Sequence, residues 1–152
     1  MFRLAPLFRS TRPQRLFSAT ALRQRDPYPV PSDLQPPPIP DLPRVNPERP
    51  TEGESAERMR ARLLYNTRKR GILETDLLLS TFATRERLAT WDEKRLEEFD
   101  RFLTLPDWSI YYLSIGKQDP PKDSELERSW IVEELREHAK NKDRVTRKMP
   151  DL

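Results

Sequence analysis

From Ala56 to Ala139 apolar residues recur at helical spacing, with no sustained alternation of the kind a half-buried strand shows. Ser55 can cap a first helix running to about Lys69, with Ala56, Met59, Leu63 and Leu64 as its apolar stripe and Arg58, Arg62 and Lys69 on its polar side. Gly71 then interrupts, because glycine is costly inside a helix and easy at a sharp turn. A second helix is expected from Ile72 to Leu88. Ile72, Leu73, Leu77, Leu78, Leu79, Phe82 and Ala83 leave more than half its circumference apolar, which suits a central position. Thr90-Trp91-Asp92-Glu93 has the form of a capping box opening a third helix, whose Leu96, Phe99, Phe102 and Leu103 recur until Pro106.

Pro106-Asp107 opens a short fourth helix with Trp108, Tyr111, Tyr112 and Ile115 on one face, and Gly116 suits its end. After the break at Pro120-Pro121, a fifth helix is expected from Ser124 to Lys142 on Leu126, Trp130, Ile131, Leu135 and Ala139. The expected fold is therefore all-α, a small five-helix bundle over residues 55–142 with a charged, frayed tail over 143–152.

Composition narrows what lies outside that bundle. Ten of the sixteen prolines fall between Pro27 and Pro50, so residues 25–54 read as a proline-rich disordered linker, extended and unable to join a helix. Residues 1–24 hold Arg3, Arg9, Arg12, Arg15 and Arg23, several hydroxyl residues and no acid, the composition of a mitochondrial transit peptide. Removing those five arginines from the formal net charge of +3 leaves about −2. The basic pI of 9.3 thus belongs to the leader. That weakens the alternative of a small helical mitochondrial RNA- or ribosome-associated accessory, since phosphate binding calls for a basic surface. No apolar run reaches the ~20 residues of a membrane span.

Candidate chemistry is sparse. Without cysteine there is no disulfide, thiolate zinc site or thiol nucleophile. The one histidine, His138, reads as an ordinary surface residue of a charged helix, and Gly53, Gly71 and Gly116 are too isolated to form a phosphate loop. Trp108, Tyr111 and Tyr112 read as core or interface packing. No catalytic residue, metal site or cofactor site is expected, and the chain is read as not an enzyme.

One segment stands out. Tyr65-Asn66-Thr67-Arg68-Lys69-Arg70-Gly71 gathers three cations before a glycine, and Glu74 and Asp76 follow. Arg70 and Glu74 are four apart and share a helix face if the turn allows it. A fork-shaped donor, a point without a side chain and two acids together suit a grip on another protein.

Tyr65 through Leu79, centred on Arg70-Gly71-x-x-Glu74, resembles the signature of the succinate dehydrogenase assembly factor 2 family. The resemblance continues through Phe82-Ala83, Glu93–Asp100, Pro106-Asp107-Trp108 with Tyr111-Tyr112, and Glu133-Glu134-Leu135-Arg136, covering about residues 58 to 142. It implies a helical factor in the mitochondrial matrix, a monomer when free. Its implied partner is the flavoprotein subunit of succinate dehydrogenase (complex II), where it promotes covalent attachment of FAD to a histidine. The factor has no cofactor of its own and acts on FAD held by the partner. By the same resemblance Arg70, Gly71 and Glu74 form the interface motif, with Arg68, Lys69 and Asp76 as rim contacts.

Overall fold

The computed structural model describes residues 36–50 and 53–151. The transit-peptide reading of residues 1–24 lies outside them, as does the linker reading of residues 25–35. Six helices follow in order: α1 (Ala56–Asn66), α2 (Leu73–Phe82), α3 (Arg85–Ala89), α4 (Glu93–Phe102), α5 (Asp107–Ser114) and α6 (Trp130–Ala139). Among the described residues there is no strand. α1 packs on α3 and α4, while α2, α5 and α6 pack on one another. Met59 and Leu63 of α1, Leu79 and Phe82 of α2, Leu96, Phe99 and Phe102 of α4, Ile110 and Leu113 of α5 and Leu135 of α6 fill one core. At its centre the Trp91 ring meets those of Phe99 and Trp130 edge-on, each at 5.1 Å, the offset geometry that aromatic quadrupoles favour.

The helix boundaries correct the periodic reading in three places. The expected helix 72–88 is two helices. Ala83 leaves helical geometry (φ −100°, ψ 63°), and Thr84 turns extended so that its hydroxyl accepts from the Arg87 N–H and caps α3. A threonine that can satisfy an amide locally competes with helix continuation, and it wins here.

The cap of α4 is Asp92, whose Oδ1 accepts from Arg95 N–H at 2.8 Å, instead of Thr90. Thr90 Oγ1 donates back to the Arg87 carbonyl and closes α3, and Trp91 is buried between the two helices. Finally, α6 starts at Trp130 and not at Ser124. Ser129 caps it, and residues 122–128 form turns, with Asp123 in the left-handed region at φ 61° and Leu126 buried as an anchor.

Residues 36–50 are also not a free spacer. Ile39 is buried in the core and Leu42 packs against it. Asn46 is buried too, and its Nδ2 donates to Asp100 Oδ1 at 2.7 Å. Asp100 also accepts from Arg62, which forks between it and Glu54 at 2.7–2.8 Å. Arg62, expected on the solvated side of α1, thus sits in a buried network. Its guanidinium holds the Glu54 carboxyl below the usual carboxylate range.

The segment after α6 folds back as well. Arg68 Nη1 donates to the Pro150 carbonyl at 2.5 Å, Arg147 donates to the His138 carbonyl, and Asn141 exchanges bonds with Val145. His138 is half-buried instead of lying on the surface, edge-on to Phe82 at 5.6 Å with Nε2 2.9 Å from Thr81 Oγ1.

Candidate functional site

The singled-out segment is the turn joining α1 to α2. Thr67 ends α1 with its hydroxyl on the Leu64 carbonyl, and Arg68 N–H closes a further turn on Tyr65. α2 and α5 differ from the side-chain-capped helices in this protein. Neither Ile72 nor Pro106 makes a side-chain capping bond. Those two helix starts meet at Asp107.

Asp107, the first residue of α5, spends both carboxylate oxygens on the turn. Oδ2 accepts from the Gly71 N–H at 2.5 Å, and Oδ1 accepts from Arg70 Nε at 2.6 Å. An acid at a helix start also faces the positive end of that helix's dipole. From the other side, Asp76 Oδ1 accepts from the Arg70 N–H at 2.7 Å, and Thr75 Oγ1 lies 3.4 Å from the Asp107 carbonyl.

The remaining Arg70 nitrogens reach the end of α4. Nη1 donates to the Leu103 carbonyl and Nη2 to the Leu105 carbonyl, each at 2.9 Å. Those carbonyls lie past the last turn of α4, where a helix has acceptors without helical partners and carries partial negative charge. Arg70 is therefore a clamp between the end of α4 and the start of α5, only 14% exposed. Only the planar fork of arginine can donate in all three directions at once.

The turn at Gly71 keeps Arg70 off α2, so the expected Arg70–Glu74 pair does not form; the cation's carboxylate partner is Asp107. Gly71 is needed at close range within the chain, since a Cβ there would lie 2.7 Å from Asp107 Oδ2. Arg68 reaches the carbonyls of Pro150 and Asp151. Lys69 is exposed, its ammonium 5.3 Å from the Tyr65 ring centre.

Glu74 is exposed on the first turn of α2, and Leu73 beside it is 65% exposed despite its place in an apolar run. On the adjoining start of α5, Trp108 is 49% exposed and stacks on Tyr112 at 5.7 Å, with Tyr111 edge-on at 6.1 Å. The core side of α5 is Ile110 and Leu113, so the expected face of Trp108, Tyr111, Tyr112 and Ile115 lies mostly outside the core. The two helix starts thus hold an exposed leucine, tryptophan and glutamate on a corner fixed from within. Surface apolar residues grouped next to a rigid charged corner suit protein association better than chemistry.

Three contributions escaped the sequence reading. Asp107 reads from the sequence only as opening the fourth helix with Pro106, although an acid just after a proline at a helix start is a visible signal. Leu73 reads as part of the apolar face of a central helix and Trp108 as core or interface packing, because periodicity cannot tell an apolar residue kept for a partner from one kept for the core.

A family model described as the flavinator of succinate dehydrogenase matches residues 61–139. The chain is 49% identical over 100 residues to the mitochondrial succinate dehydrogenase assembly factor 2 of Cryptococcus neoformans, spanning 66% of this chain and 55% of that protein. It is 49% identical over 102 residues to the protein of that name from Scheffersomyces stipitis, covering 66% of this chain and 68% of the relative. The corresponding Yarrowia lipolytica protein is 47% identical over 104 residues, covering 68% and 71%. The matched stretch contains α2 to α6, the Arg70 clamp and Asp107. The chain belongs to the family of flavinators of succinate dehydrogenase.

Proposed function

We propose that this protein is a non-catalytic assembly factor of the mitochondrial matrix. It binds the flavoprotein subunit of succinate dehydrogenase and promotes covalent attachment of FAD to a histidine there. The observation that carries the reading is the corner at the starts of α2 and α5, where the Arg70-Gly71-x-x-Glu74 segment, inside the family-matched stretch, holds exposed Leu73 next to exposed Trp108. In this reading Glu74 and Lys69 meet the partner with charge, and Leu73 and Trp108 supply the apolar contact. Arg70, Gly71 and Asp76 shape the corner from within, and Arg68 lies at its rim. The factor holds no cofactor. It binds one arrangement of the FAD-loaded subunit more tightly, the arrangement in which the acceptor histidine meets the flavin, and so shifts the population toward reaction.

The test is the flavin fluorescence of the denatured subunit after expression with and without this chain. Covalent flavin is expected only, or far more, with it. Equal covalent flavin in both would refute the proposal.

A further inference from the structure

We propose that Asp107 is a positioning residue of the partner-binding corner, and that its carboxylate is what demands glycine at position 71. This rests on the function proposed above, in that the corner is the binding surface. Two observations carry it independently. Asp107 Oδ2 occupies the space that any side chain at 71 would enter, 2.7 Å from an ideal Cβ. That is closer than carbon and oxygen can approach without contact strain, and the carboxylate is not a loose tip free to swing aside. Both its oxygens are engaged, one by the Gly71 N–H and the other by Arg70, whose other nitrogens are fixed on Leu103 and Leu105.

Displacing the carboxylate therefore releases the Gly71 amide and loosens the Arg70 fork together. Asp107 couples the turn leading into α2 to the first turn of α5, and α2 and α5 carry Leu73, Glu74 and Trp108 at their starts. Relative placement of those three side chains depends on one carboxylate, which itself is only 18% exposed. Side chains on two elements bind as a unit only when the elements are locked to each other, so loss of the lock weakens binding without removing a contact residue.

The decisive experiment is a double-mutant cycle on the whole chain, with Gly71→Ala, Asp107→Ala and the pair. Affinity for the flavoprotein subunit is measured well below the melting temperature, alongside thermal stability and the Gly71 amide proton resonance in the wild type and Asp107→Asn. Each single change is expected to weaken binding roughly tenfold or more, and the pair little more than the worse single one, because both break the same lock. The Gly71 amide resonance should lie far downfield in the wild type and move upfield in Asp107→Asn, whose amide is a weaker acceptor, while resonances of the α1–α4 core stay in place.

Binding losses that multiply in the double variant would overturn the proposal and make Gly71 a direct partner contact. So would an amide resonance indifferent to Asp107→Asn. If the wild type fails to bind the subunit at all, the functional reading falls with the binding part of this one. The cycle in thermal stability then still decides the lock, and additive losses there would overturn it.

Discussion

Arg70 and Glu74 belong to one short segment and face opposite ways. Arg70 donates to Asp107, Leu103 and Leu105 and is largely covered, whereas Glu74 is exposed on the first turn of α2. Substitutions should separate them. Arg70→Lys keeps the charge but cannot reach two carbonyls and a carboxylate together, so it should cost about 1–3 kcal/mol in urea denaturation. Glu74→Ala should change stability by less than about 0.5 kcal/mol, as surface changes do, yet abolish co-purification of the flavoprotein subunit. A destabilised Glu74→Ala protein would return Glu74 to an architectural role. The sequence could not separate the pair, because spacing of four reads alike for a helix face and for a turn that sends one side chain inward.

At the scale of elements, arginines close helix ends belonging to other helices. Arg60 donates to the carbonyls of Leu88 in α3 and Trp91 just past it, Arg70 to those of Leu103 and Leu105 after α4, and Arg136 to those of Leu113 and Gln118 around the end of α5. Each brings a cation to the negative end of a helix and donates to carbonyls at or just past it. The sequence does not show these pairings, since nothing local says which carbonyls lie across the gap.

The contact of α2 with α6 has a titratable member. Burial pushes the His138 pKa from 6.5 down to about 4, with Arg147 and Arg87 acting in the same direction. The unfolded chain therefore takes up the proton first as pH falls. This contribution to stability is intact above pH 6.5 and drains away down to about pH 4. Because the ring is half-exposed, the loss should be on the order of 1 kcal/mol, well below the full shift. His138→Gln should flatten the melting temperature between pH 6.5 and 5, above the range where carboxylates such as Glu54 protonate. An unchanged slope would mean that His138 titrates normally in the folded protein.

For the molecule as a whole, the consequential feature is that residues 36–50 belong to the folded unit. Ile39 enters the core and Asn46 completes the network of Asp100, Arg62 and Glu54. In the whole chain, Ile39→Ala should cost about 2–4 kcal/mol by leaving a cavity. Asn46→Ala should cost about 1–2 kcal/mol by removing a donor from a buried carboxylate. Each would shift the melting temperature by several degrees, and two wild-type-like melting curves would restore the spacer reading. Proline content argues against helix here, and residues 36–50 form none; it does not follow that a segment without helix is unattached.

By itself the sequence determined the helical class and most of the inward stripes, including Met59, Leu63, Leu96, Phe99, Phe102 and Leu135. It also marked the Arg68–Asp76 segment, because apolar periodicity and a glycine between helices are local signals that a fold of this size must obey. Tertiary structure alone decided where Arg70 points, what lies against Gly71, where α2 gives way to α3, and that Ile39 and Asn46 join the bundle. Each depends on a group distant in the chain, such as Asp107 or Asp100, or on a balance between a local hydroxyl cap and continued helix that packing tips. Pattern along a chain records which residues avoid water; it does not record which of them meet.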